Sequence, residues 1–201
     1  MSVRPRSVVR AFLLGLVLAL SADPHQAARV RSLTLPEMVE LSGAIFAGEV
    51  VGVEPEEVHG LPATAVTFRV EEGIRGAESG SRLTLRFLGG TRATGGLPYR
   101  IAGMPTWQTG ERAVLLAHAP SDLGLTAPVG LFQGRFDIRP GPAGTVTAIP
   151  HFPGPRLLEG VPDSLLRDAG LAGPAAGSLP YGALMRLLRE LARTPIAAEP
   201  R

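Results

Sequence analysis

Two stretches of strict apolar–polar alternation constrain this chain more than any other feature. From Thr64 to Val70 and again from Leu83 to Phe87, every second residue apart from Thr64 is apolar, and mostly polar residues lie between them. A period of two is typical of a β-strand that buries one face. A third strand is indicated at residues 44–54, so the sequence predicts three successive strands, most simply an antiparallel meander.

Glycine placement predicts strong curvature in the first of these strands. Gly48 and Gly52 share one face of residues 44–54, and glycines in such positions let a strand coil as small barrels require. The whole chain holds 25 Gly and 19 Pro, which implies frequent turns and favours short strands over a helical bundle. We expect a mainly β fold: a small barrel, closed or partly open, with residues 55–62 as a connection and residues 73–80 as a turn-rich link.

The second half of the predicted barrel is less regular. Residues 89–110 hold six Gly, two Pro and the only Trp, and are interpreted as a long excursion across the barrel. Residues 113–117 are apolar on both faces and predict a central or covered strand. Alternation from Phe132 to Arg139, a turn at 140–144 and an extended run at 145–149 predict a β-hairpin.

Helices are expected at both ends of the barrel. Thr34 and Glu37 have the spacing of a capping box, which predicts a short N-terminal helix over about 35–42 that buries Leu35 and Met38, with Leu41 as a further candidate. The barrel domain is placed at 34–149, followed by a Pro- and Gly-rich linker at 150–177 with one helical turn opened by Pro162. A C-terminal helix at 178–194, capped by Ser178 with Pro180 in its first turn, carries an apolar stripe that predicts packing on the barrel: Leu184, Leu187, Leu188 and Leu191.

The first 22 residues have the three parts of a secretion signal. A basic start with Arg4, Arg6 and Arg10 precedes an apolar run at 11–20, and small residues follow up to Ala22. The apolar run is shorter than the roughly 20 residues that a membrane-spanning helix needs, although an uncleaved anchor is the alternative. We therefore expect an exported protein, periplasmic or extracellular, with no stable membrane insertion after cleavage.

Charge and cysteine content exclude several classes of function. The formal net charge is +2, but three of the 20 arginines lie in the signal, so the mature chain has 17 Arg against 18 acidic residues. No clustered basic stripe is left to bind nucleic acid. The absence of Cys excludes disulfides, thiolate metal sites, a Cys nucleophile and a lipoprotein anchor.

Motifs that carry catalysis or bind cofactors are not found. Ser79 lacks the flanks of a nucleophile elbow, and the acidic neighbours Glu56–Glu57 and Glu71–Glu72 point to opposite faces of a strand. The paired glycines at 89–90 and 95–96 do not lie between a strand and a helix, so no phosphate-binding loop and no cofactor is predicted. None of the four histidines has the spacing of a zinc helix: His25, His59, His118 and His151.

Two alternatives for chemistry stay open. His118 and His151 are the pair that a metal site would use. A hydrolase with a dispersed active site would draw on His118, His151 and Asp137.

The irregular excursion contains the candidate binding surface. Tyr99, Arg100, Met104 and Trp107 are of types enriched in binding hot spots. The competing interpretation is that Trp107 caps an open barrel end as part of the core.

Three phrases of the sequence resemble a known family. Residues 44–53 (AIFAGEVVGV) and 67–76 (TFRVEEGIRG) are similar to the opening of netrin-like domains and tissue inhibitors of metalloproteinases, and residues 103–112 resemble a later part of exported bacterial proteins with that opening. The resemblance implies a barrel like that of oligonucleotide/oligosaccharide-binding (OB) domains. The N-terminal Cys with which the animal inhibitors chelate zinc has no counterpart here, so that mechanism is not implied.

Taken with the missing motifs, the sequence favours an exported, non-enzymatic binding or interaction module with no cofactor. Its expected partner is another exported protein or a surface polymer.

Overall fold

A single eight-stranded mixed sheet organises the chain. The computed structural model describes residues 31–92, 95–141, 144–152, 154, 156–171 and 177–193, and the predicted signal at 1–22 lies outside them. The strands are β1 (Ala44–Val58), β2 (Leu61–Arg75), β3 (Arg82–Leu88), β4 (Arg112–Ala117), β5 (Leu125–Thr126), β6 (Arg135–Pro140), β7 (Val146–Pro150) and β8 (Leu179–Pro180). The helices are α1 (Leu35–Leu41), α2 (Asp163–Asp168) and α3 (Tyr181–Arg193), with a 3₁₀ turn at Leu131–Gly134.

The strand order is β5-β3-β2-β1-β4-β6-β7-β8, and only the β3–β5 pair is parallel. This confirms the mainly β class, the β1–β2–β3 meander, the central position of β4 and the β6–β7 hairpin. The sheet does not close, because the short strands β5 and β8 form its two edges. In the part of the chain that the structure describes, no helix is long and apolar enough to cross a membrane.

The first hairpin is longer and tighter than the sequence indicated. The prediction of a connection at 55–62 is wrong, because β1 continues to Val58 and β2 starts at Leu61 after a turn of His59 and Gly60. Both turn residues have positive φ, 49° and 79°, which suits a two-residue hairpin turn. Pro55 lies in β1 beyond Glu49, the last residue of β1 that pairs with β4. On that side of β1 no strand needs the N–H that proline lacks, so Pro55 is tolerated.

Strand β1 is the bend in the sheet. Its pairing with β2 shifts register three times, as β-bulges do. Strand β2 extends to Arg75, so the first three residues of the link predicted at 73–80 belong to the strand. A Cβ on Gly48 would lie 2.7 Å from the carbonyl oxygen of Arg69, so only glycine permits this approach. The curled sheet thereby gains an inner face, on which Phe46, Phe68 and Phe87 form one apolar core.

The other face of the sheet is covered by helices. Helix α1 has the predicted capping box: the Glu37 carboxylate accepts from the Thr34 N–H at 2.8 Å, and this hydrogen bond lowers the pKa of Glu37. Leu35 and Met38 are buried as expected, but Leu41 is 49% exposed and Val39 is buried in its place. Leu41 lies six residues after Leu35, roughly 120° around the helix from it, and so falls outside the buried face that Leu35, Met38 and Val39 form.

Helix α3 supplies the rest of this second core. All four leucines of its predicted stripe are buried there, together with Leu157 and Val161 from the stretch between β7 and α3. The predicted start at Ser178 is wrong, because Leu179 and Pro180 pair with β7 before the helix begins at Tyr181. Phe132 likewise belongs to the 3₁₀ turn rather than to strand β6.

Arg75 lies at the end of β2, and its guanidinium connects helices α1 and α3. It donates to the carbonyl oxygens of Val39 and Ser42 at the end of α1, at 2.6 and 3.1 Å, and to that of Ala192 in α3, at 3.3 Å. A cation is favourable at these carbonyls because the C-terminal end of a helix carries partial negative charge.

Candidate functional site

A cavity of about 690 Å³ lies between the sheet and the segment that links β3 to β4, here called the crossing segment, which the structure describes at residues 89–92 and 95–111. The sheet contributes side chains from β1, β2 and β3, and the crossing segment contributes the opposite wall. The lining residues are Val53, Pro55, Thr64, Phe87 and Leu88 of the sheet, with residues 89–91, 98–102 and 104–107 of the crossing segment.

Backbone hydrogen bonds hold the beginning of the crossing segment against β2. The Gly89 N–H donates to the carbonyl oxygen of Pro62 in β2 at 2.8 Å, and the Thr64 hydroxyl donates to the carbonyl oxygen of Gly89 at 2.8 Å. Within the segment, Gly90 and Tyr99 exchange two backbone hydrogen bonds, at 2.9 and 2.8 Å. Gly90 has φ of 118°, and a Cβ there would collide with the Thr64 hydroxyl. The glycine therefore allows the segment to approach Thr64 of β2 closely.

Trp107 fixes the other end of the crossing segment. Its ring stacks on Phe87, with centroids 5.5 Å apart, and meets Phe68 edge to face at 5.2 Å. The residue is only 7% exposed, yet it also lines the cavity. Trp107 therefore packs in the core, as one interpretation of the sequence expects, and also lines the cavity, where the other interpretation would place it. Its indole N–H is buried and has no hydrogen-bond partner among the described residues.

A buried guanidinium lies over the Trp107 ring. The side chain of Arg135 is 3% exposed, and its Cζ atom is 4.3 Å from the ring centroid, a cation–π distance. It donates to Asp137 at 2.8 Å, to Glu111 at 3.1 Å and to the carbonyl oxygen of Thr106 at 2.7 Å. One side chain of β6 thus anchors the crossing segment at Thr106, Trp107 and Glu111.

The sequence did not reveal Arg135, because its alternation with Phe136 places it on the face expected to meet solvent. In the structure Arg135 pairs with Leu115, whose side chain belongs to the inner core. Here the crossing segment covers this face of the sheet at the start of β6, so Arg135 lies beneath it. A single Arg in a regular strand carries no local signal of this burial.

The structure brings all four residues of the candidate binding surface to the cavity. Tyr99 is 53% exposed, Arg100 is exposed, and Met104 packs partly buried against the inner core beside Trp107. The cavity therefore has a buried aromatic floor and an exposed rim that carries a phenol and a guanidinium. A mostly apolar pocket with a few placed polar groups is the usual form of a small-molecule site.

The residues of the hydrolase alternative are not brought together as a group. His151 Nδ1 lies 3.9 Å from a carboxylate oxygen of Asp137, which also meets Arg135 and Arg139. His118 Nδ1 is instead 3.1 Å from the carbonyl oxygen of Leu41. The residue of β4 opposite Asp137 is Ala113, and His118 lies past the other end of that strand, at least roughly 13 Å along it. Within the described residues, no group of three His, Asp or Glu side chains could hold a metal ion.

The acidic neighbours are part of surface ion pairs. Glu56 pairs with Arg86, Glu57 with Arg92, Glu71 with Arg112 and Glu72 with Arg189.

Tyr181 is a phenol with a shifted pKa outside the cavity, on helix α3. Burial, together with the nearby charge of Glu72, raises the pKa of Tyr181 to about 12.

Comparison of the chain with protein-family models, with curated proteins and with solved structures found no match in any of the three.

Proposed function

We propose that this chain is an exported, non-enzymatic binding module whose ligand occupies the cavity beneath the crossing segment. The observation that carries the proposal is the cavity itself, whose volume of about 690 Å³ falls within the range typical of small-molecule sites. Its floor includes Phe87 and Trp107, and its rim includes Tyr99, so an apolar or aromatic ligand is favoured.

The fixed position of the Trp107 ring supports this function. Arg135, Phe68 and Phe87 hold the ring from three sides, so a ligand would meet a surface that is already formed. Preorganisation of this kind reduces the entropy lost on binding. A ligand of this size is a free small molecule or a side group displayed by the exported protein or surface polymer expected as partner.

The fold family and the location belong to the same proposal. The bulged β1, the antiparallel meander and the covered inner face support a partly open, OB-like barrel related to netrin-like domains. Export rests on the basic, apolar and small-residue succession of residues 1–22.

Binding is testable with 1-pyrenebutanol, an uncharged aromatic probe that accepts excitation energy from tryptophan. Because Trp107 is the only Trp and lines the cavity, we expect its emission to fall saturably as pyrene emission appears, with one probe bound per chain. Tyr99→Ala should weaken binding by roughly fivefold, the equivalent of about 1 kcal/mol of lost aromatic contact.

Ile149→Ala is the matched control, because Ile149 is an exposed apolar residue of β7, 40% accessible, that does not line the cavity. Its affinity for the probe should equal that of the wild type. No energy transfer in the wild type, or equal losses in the two variants, would refute the cavity as the binding site.

A further inference from the structure

The cavity has one charged side chain. Arg100 lines it, whereas none of the other lining residues is Asp, Glu, Lys, Arg or His. No carboxylate of the described residues forms an ion pair with Arg100. On the adjoining strands, Arg69 pairs with Glu49 and Arg86 pairs with Glu56, whereas Arg82, at the end of β3 away from the cavity, has no ion pair among the described residues. Within the part of the chain that the structure describes, Arg100 is thus a positive charge without an ion-pair partner on the rim of an apolar cavity.

We infer that the ligand of this site carries one carboxylate on its apolar body, and that Arg100 binds this carboxylate. The inference rests on the proposed function and specifies the chemical class of its ligand. A guanidinium presents paired N–H donors that match the two oxygens of a carboxylate. The aromatic floor would take the apolar body while the charged end remains at the exposed rim, where its desolvation costs little.

The geometry places the two parts of the ligand in separate environments. Trp107 is buried, whereas Arg100 is exposed and is followed in the chain by the partly buried Ile101. A charged group forced onto the floor would lose its hydration without an opposite charge there. A carboxylate at the rim keeps part of its water and gains the Arg100 charge.

The test compares two probes with the same aromatic body, 1-pyrenebutyrate and 1-pyrenebutanol, on wild-type protein and on Arg100→Gln. Arg100→Gln should weaken pyrenebutyrate by about fivefold, as a pair worth about 1 kcal/mol at an exposed site implies, and leave pyrenebutanol within about twofold. Added salt should reduce the wild-type affinity for pyrenebutyrate because an exposed pair is screened.

Arg82→Gln is the matched control for net charge. Arg82 is exposed at the start of β3, roughly 20 Å along the strand from the end that reaches the cavity. The Arg82→Gln variant should bind both probes with the affinity of the wild type. Equal losses of pyrenebutyrate binding in Arg82→Gln and Arg100→Gln, or equal effects of Arg100→Gln on both probes, would overturn the inference while leaving the cavity as a binding site. Failure of pyrenebutanol to bind the wild type would instead refute the proposed function.

Discussion

Replacing Arg135 with Met is expected to lower the free energy of unfolding by about 3 to 5 kcal/mol. Met fills much of the same space, but it leaves the Glu111 and Asp137 carboxylates and the Thr106 carbonyl without their common donor. The loss should fall toward the lower end, because the two carboxylates are 24% and 19% exposed and regain some water. Urea unfolding followed by far-ultraviolet circular dichroism measures the change.

Arg139→Gln is the control for this substitution, since Arg139 is 56% exposed and meets the same Asp137 at 3.6 Å. It should cost no more than about 1 kcal/mol. Asp137→Asn combined with Arg135→Met should be less damaging than the sum of the two changes, because one of the two carboxylates that lose Arg135 is then uncharged. A stability loss below about 1 kcal/mol in Arg135→Met would show that the guanidinium does not anchor the crossing segment.

Trp107→Ala should cost about 3 to 5 kcal/mol of unfolding free energy, because it removes a large buried ring from contact with Phe68 and Phe87. In the wild-type protein, the emission of this single Trp should be blue-shifted and protected from soluble quenchers, as its 7% exposure implies. Thermal or urea unfolding followed by circular dichroism gives the stability, since the variant has no Trp to report.

Tyr99→Ala provides the comparison for an aromatic residue of the same cavity that is half exposed. It should change stability by less than about 1 kcal/mol. A stable Trp107→Ala variant, together with red and readily quenched wild-type emission, would contradict the core role of Trp107 and place it on the open surface.

The sequence predicted those parts of the fold that a local residue pattern determines. The alternation of residues 64–71 and 82–87 located β2 and β3, and the leucine stripe of α3 identified its buried face. Pro55 and Pro62 suggested that residues 55–62 interrupt the strands. Pro55 nevertheless lies within β1, past the last residue of β1 that pairs with β4. The pairing of neighbours, rather than the residue itself, decides whether a strand accepts a proline.

Features that depend on distant parts of the chain were not predicted from the sequence. Whether the sheet closes depends on strands of two residues, β5 and β8, which are too short to show a period. Arg135 looked like an exposed strand residue because nothing near it in the sequence indicates the crossing segment above. The candidate residues of the cavity were found by their types, whereas the cavity itself arises only when residues 89–111 fold across β1, β2 and β3.

The indole N–H signal of Trp107 tests the central claim of a ligand cavity beneath the crossing segment most directly. The chain has one Trp, so a ¹⁵N–¹H correlation spectrum contains a single indole cross-peak that needs no assignment. Because Trp107 lines the cavity and its buried N–H has no hydrogen-bond partner among the described residues, we predict that 1-pyrenebutanol shifts this cross-peak progressively to saturation, with the same dissociation constant as the energy transfer. An indole cross-peak that stays in place while the probe binds would show that the ligand lies elsewhere and would contradict the account.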